Sequence, residues 1–195
     1  MSTSVIERTA STSVPVISAI AERWSPRAFD AETTIDEDKL AAALEAARWA
    51  PSAYNSQPWR FAVARRGTDL HTAVSATLVS FNQMWAPAAS ALVVAIAETA
   101  AADGTPISHA AYDLGQAVAG FSVQAQEEGL AVHQMSGLDA AALAQVLELE
   151  ERFVPFTVIA VGDLGDASAL PEALQERENA PRERRPLTET VIANA

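Results

Sequence analysis

Three places in this chain combine residue types that could do chemistry. The first is Pro51-Ser52-Ala53-Tyr54-Asn55-Ser56-Gln57-Pro58-Trp59, where two prolines bracket small and amide side chains. Proline removes a backbone donor and restricts the residue before it, so neither helix nor strand suits this run and it reads as a shaped loop. Ser52, Asn55, Ser56 and Gln57 offer donors and acceptors without net charge, and Trp59 offers a flat apolar face with one N–H. Such a set suits a planar, heteroatom-rich ligand, and it would equally satisfy the loop's own backbone. The second place is Arg23-Trp24-Ser25-Pro26-Arg27, and the third is Arg182-Glu183-Arg184-Arg185. Guanidinium forks pair bidentately with phosphate oxygens and a serine hydroxyl adds a neutral donor, so the second can hold an anion, the alternative being solvated surface arginines. The third is the densest basic cluster in the chain, and a charge run of this kind is usually a solvated tail. The chain has 25 acidic and 13 basic residues, a net charge of −12, so an anion site here is built against the overall field.

The same totals exclude much else. There is no cysteine, which removes disulfides, thiolate metal sites and cysteine nucleophiles, and fits a reducing cytoplasm. The acidic balance argues against nucleic acid and anionic membrane surfaces as partners. No apolar run approaches the ~20 residues of a membrane span. Neither a Gly-x-Gly-x-x-Gly after a strand, nor a P-loop, nor a Gly-x-Ser-x-Gly elbow is present, and the three histidines lack metal-ligand spacing. Redox chemistry carried by an organic cofactor remains, with the protein supplying binding, orientation and electrostatics.

The elements that must position these residues follow from periodicity and punctuation. The 195 residues fit one domain. Residues 1–13, Ser/Thr-rich, read as a mobile N-terminal arm, and 14–195 as a single domain. A helix is expected over Val14 to Arg23, ended by Pro26. Asp36 caps a helix with Leu40, Ala43, Leu44 and Ala47 on one face, and a short strand spans Phe61 to Ala64. Thr68 or Asp69 caps a third helix whose stripe is Leu70, Val74, Leu78 and Phe81, with His71 on its surface. Ala91 to Ala97 reads as a central strand and Ile107 to Glu128 as a long helix. The small residues of that helix, Gly115, Ala117, Ala119 and Gly120, mark either close core packing or a subunit interface. Val132 to Met135 is extended, Ser136-Gly137 turns, Asp139 caps a helix, and Phe156 to Val161 is a buried strand. A short helix lies around Pro171 to Arg177. His133 reads as a packing or hydrogen-bonding residue.

The run Pro51 to Trp59 closely resembles the signature loop of the FMN-dependent nitroreductase family. Arg23 to Phe29, Asn82 to Pro87, the Met135-Ser136-Gly137 turn and Arg182 to Leu187 resemble further family segments in the expected order. The resemblance implies an α+β fold with a central mixed sheet of four to five strands flanked by helices. It also implies an intertwined homodimer with the C-terminal extension reaching the partner subunit. Tightly bound FMN is implied, with Arg23, Ser25, Arg182 and Arg184 on its phosphate (Arg185 being the rival to either of the last two) and Arg27 at the N1/C2=O edge. Trp24, Pro51, Ser52, Ala53 and Asn55 complete the contacts, the loop residues coming from the other subunit. Asn82 would meet the pyrimidine edge, and Met135, Ser136 and Gly137 the ring. Trp85 stands where some members carry a second basic residue. The implied activity is ping-pong transfer of hydride from NAD(P)H through flavin N5 to a nitroaromatic, quinone or activated alkene, with no protein acid or base required. Other readings are a flavin-storage or redox-sensing protein, a flavin enzyme of the same fold with different chemistry, and a cofactor-free interaction domain.

Overall fold

The computed structural model describes residues 8–193. The first seven residues of the expected arm lie outside that range. Within the rest, Ala10 N donates to Ala21 O at 2.8 Å and Arg8 to Ala180 O at 2.8 Å. The elements are α1 (Ser18–Glu22), α2 (Glu37–Arg48), β1 (Trp59–Arg65), α3 (Asp69–Ala76), α4 (Ser80–Gln83), β2 (Ala91–Glu98), α5 (Ala110–Glu127), β3 (Ala131–Met135), α6 (Ala140–Val146), β4 (Phe153–Gly162), α7 (Glu172–Asn179) and α8 (Leu187–Thr190).

The sheet has four strands in the order β1-β2-β4-β3. Every pairing is antiparallel, which corrects the mixed sheet expected from the sequence. The two inner strands explain the unbroken apolar runs: both faces are covered, so both sets of alternating side chains are buried. Leu92, Val94 and Ile96 of β2 point to one core with α3, α6 and α7; Val93, Ala95 and Ala97 point to the other with α2 and α5. Gly120 lets α5 lie close on α2, where a Cβ would stand 3.1 Å from Ala46 O. That part of the small-residue stripe packs within the subunit, whereas a Cβ at Gly115 would meet open space.

Asp36, Thr68 and Asp139 cap their helices through side-chain oxygens, as their positions predict. Two helices differ from expectation. The first forms only over Ser18–Glu22, because Pro15 disfavours helix at Val14 and interrupts the pattern; Val14, Val16, Ile17 and Ile20 are all exposed. The stripe from Leu70 to Phe81 is divided between α3 and α4, since Leu78 leaves the helix to bridge Leu138. His71, expected at the surface, is 5% exposed, and burial lowers its pKa.

Candidate functional site

The basic turn is held by a buried carboxylate. Arg23 follows α1 in extended conformation, and Pro26 keeps the next residues out of a helix. Both oxygens of Glu178, 1% exposed on α7, accept from Arg27 N (2.9 and 3.0 Å), and Oε1 also accepts from Ala28 N at 3.0 Å. The same carboxylate lies 3.8 Å from the Arg27 guanidinium. The chain leaving α7 folds over this turn: Arg182 donates to Ala21 O at 2.6 Å, and Arg8 donates to the Glu178 carbonyl.

Arg23, Trp24, Ser25, Arg27, Arg182 and Arg184, each singled out in the sequence, thereby line one cleft of about 470 Å³. Arg23 Nη2 donates to Ser25 Oγ at 3.0 Å. Trp24 carries the Arg8 guanidinium 4.4 Å above its ring. Arg8 and Arg177 also line the cleft and were not anticipated; two more arginines in an acidic chain were the available signal. Burial lowers the pKa of Arg23, and the charges of Arg182 and Arg184 push it the same way. Arg182 is lowered by burial and then by Arg184 and Arg8. Burial lowers Arg27 too, against the opposing pull of Glu178. Buried Arg27 Nε has no partner among the described residues. The cations are thus crowded and partly dehydrated, an arrangement that an anion relieves.

A second cluster adjoins the first through Phe81, whose ring lies 6.0 Å from the Arg27 guanidinium and 5.1 Å from that of Arg177. The break after α3 brings Asn82 to the turn after β3: Asn82 Nδ2 and Val79 N both donate to Gly137 O at 3.1 Å. A Cβ at Gly137 would lie 2.8 Å from Val79 Cγ2 and 3.0 Å from Asn82 Nδ2, so this close approach requires glycine. Ser136 is exposed, whereas Met135 is 3% exposed with its side chain in the core, leaving only its backbone to a ligand.

His133 on β3 braces the basic turn from below. Its Nδ1 lies 2.9 Å from Pro26 O, and since a carbonyl only accepts, Nδ1 carries the proton. Burial pushes its pKa down to about 4, and the cations of Arg27 and Arg23 add to the effect against the Pro26 carbonyl. Trp85, standing where some family members carry a basic residue, is 2% exposed, with its ring 4.5 Å from His133 and stacked at 6.2 Å on Phe29.

The loop after α2 is anchored to α5. Ala53 N donates to Asp113 Oδ2 at 3.0 Å, and Gln57 N to Ser52 Oγ at 3.0 Å. Tyr54, Asn55 and Gln57 adopt left-handed φ of 55°, 55° and 48°, a conformation that non-glycine residues hold only when their surroundings fix it. Tyr54, Pro51 and Asn55 are exposed. Trp59 is 6% exposed and packs among α2 and α5 residues, which corrects its reading as a ligand-facing surface. None of Pro51, Ser52, Ala53 and Asn55 lines the arginine cleft of the same chain. Among the described residues no cluster of side chains could hold a metal ion, and no helix is long and apolar enough to cross a membrane.

Comparison with known proteins gives a family, two relatives and two solved structures. The model of the nitroreductase family matches residues 20–101 and 76–163. An uncharacterized 15.4 kDa protein of Mycolicibacterium smegmatis is 35% identical over 140 residues, which is 68% of this chain and 94% of that protein. An oxygen-insensitive NADPH nitroreductase of Helicobacter acinonychis is 40% identical over 73 residues, 37% of this chain and 34% of that enzyme. Among solved structures, an oxidoreductase containing FMN superposes with a TM-score of 0.87 at 34% identity, covering 96% of this chain and 94% of its own. A nitroreductase-type structure in complex with FMN from Desulfovibrio desulfuricans gives 0.75 at 23% identity, covering 94% and 99%; at that identity the likeness is one of fold.

Proposed function

Because the chain belongs to the nitroreductase family, we propose that this oxidoreductase binds FMN and uses NAD(P)H to reduce an electrophilic small molecule such as a nitroaromatic, quinone or activated alkene. The observation that carries the reading is the arginine cleft, whose crowded guanidinia and partnerless Arg27 Nε fit a phosphate and the polar edge of a flavin. Bound FMN would supply the chemistry, accepting hydride at N5 from one substrate and returning it to the next.

The protein's part is to bind and orient. Arg23, Ser25, Arg182 and Arg184 would hold the phosphate. Arg27, fixed through its backbone by Glu178, would present its cation to the ring's N1/C2=O edge. Asn82 keeps Oδ1 and one N–H beyond its bond to Gly137 and suits the pyrimidine edge. The Ser136-Gly137 backbone offers close approach. Ser52, Ala53 and Asn55 lie outside the cleft of their own chain, which supports their delivery from a second copy in a homodimer.

The test is the visible spectrum of the purified protein mixed with FMN and freed of unbound flavin. A retained, perturbed flavin spectrum is expected, bleached by NAD(P)H and restored by an acceptor. Arg23→Ala should weaken FMN binding by tenfold or more. No retained flavin in folded protein would overturn the reading. Retained flavin that NAD(P)H does not reduce would leave a carrier rather than an enzyme.

A further inference from the structure

Arg185, the third arginine of the C-terminal cluster, does not line the cleft assigned to the flavin phosphate. It lines a smaller cavity of about 190 Å³ together with Ser11, Ser13, Arg182 and Arg184. The two cavities therefore share Arg182 and Arg184 in their walls. No carboxylate lines the smaller one, although acidic residues outnumber basic ones by 25 to 13 in the chain. The cations are in surplus as well. Arg8, Arg23, Arg27, Arg177, Arg182, Arg184 and Arg185 gather around the two cavities; set against the carboxylates of Glu183, which lines the larger cleft, and Glu178, which faces Arg27, they still leave more charge than one phosphate with its ~2 negative charges can offset.

We propose that the smaller cavity is a second phosphate subsite, in which Arg185, Ser11 and Ser13 bind a phosphoryl group beside the one held in the larger cleft. The chemistry is that of the first cleft in miniature: guanidinium forks for the anionic oxygens and hydroxyls as neutral donors. The group it takes is a phosphate of a dinucleotide. One source is the second phosphate of a diphosphate flavin such as FAD, bridging both cavities as a single ligand. The other is the 2′-phosphate of NADPH, which arginines recognise in other folds. The subsite rests on the FMN reading for its neighbour, but its own residues differ from those of the flavin site.

The experiment titrates inorganic phosphate into the FMN-loaded protein by calorimetry, with the larger cleft filled. Wild type should bind one phosphate, and Arg185→Ala and Ser13→Ala should weaken that binding tenfold or more while changing FMN affinity less than twofold. Flavin-exchange and steady-state arms then separate the sources. A loss of FAD affinity in Arg185→Ala at unchanged FMN affinity points to the diphosphate flavin. A tenfold fall in NADPH over NADH preference, read in KM, points to the donor. No phosphate binding to the FMN-loaded wild type, or an equal loss of FMN affinity in Arg185→Ala, overturns the subsite. A protein that never retains FMN overturns the flavin reading instead. The subsite is then read on the flavin-free protein, where inorganic pyrophosphate should bind more tightly than phosphate in wild type and no better than phosphate in Arg185→Ala; equal binding of the two in wild type overturns it.

Discussion

Glu178 is the side chain on which the arginine cleft rests. It is buried, it accepts every bond that fixes Arg27 N and Ala28 N, and it partly offsets the Arg27 charge. Glu178→Ala would strand two buried N–H groups and a half-buried guanidinium, and should cost ~3–5 kcal/mol in denaturant unfolding. Glu178→Gln keeps the shape but turns one acceptor into a donor facing Arg27 N. It should cost ~1–3 kcal/mol and weaken FMN binding by misplacing Arg27. Wild-type stability in Glu178→Gln would show that the turn holds itself. His133 adds a pH dependence. Its folded pKa lies near 4, below the ordinary value of 6.5, so the neutral form is the one the fold stabilises. That contribution is complete above pH 6.5 and is lost as pH falls toward 4, in total up to ~3 kcal/mol. His133→Gln should flatten this part of the stability profile, with urea midpoints at pH 7, 5.5 and 4 as the measurement.

At the scale of elements, the loop after α2 depends on α5 more than on its own sequence. Asp113, 2% exposed, accepts from Ala53 N, and the loop holds three left-handed residues that are not glycine. Asp113→Ala should leave Ala53 N–H unpaired, cost ~1–3 kcal/mol and open the loop to proteolysis between Ser52 and Gln57. Asp113→Asn retains an acceptor oxygen and should restore most of the loss. The sequence announced that this loop was shaped, because prolines are local signals, but not that a residue sixty positions away would fasten it. The same division runs through the chain. Asp36, Thr68 and Asp139 were legible as caps because a cap is a local event within one turn. The break after α3 was not legible, since Leu78 is drawn out by a bridge to Leu138 and helical spacing continues through it. The places of Glu178 and Trp85 were not legible for that reason too: a glutamate in a polar helix and a tryptophan after an asparagine declare nothing until the fold brings the basic turn onto the one and His133 onto the other.

At the scale of the molecule, the described subunit leaves its own apolar surface uncovered and its own loop away from its own cleft. Ile17, at the N-terminal end of α1, is 61% exposed and Ile20 within it 49%, and Val14 and Val16 just before them are exposed as well. Val191 and Ile192 near the other end of the chain are exposed as well, and Gly115 on α5 faces open space. Large apolar side chains left exposed in this number are what association covers. A homodimer should therefore be the species seen by sedimentation equilibrium, and replacing both Ile17 and Ile20 with glutamate should yield folded monomers. If Ser52, Ala53 and Asn55 reach the partner's cleft, those monomers should also lose FMN affinity by tenfold or more. Salt separates the two effects. Each copy carries a net charge of −12, so two copies repel and added salt should tighten the dimer, while it weakens the arginine–phosphate contacts. FMN affinity measured against ionic strength should then pass through a maximum in wild type and fall throughout in the monomeric variant. A monomeric variant with undiminished affinity would place the whole flavin site within one chain.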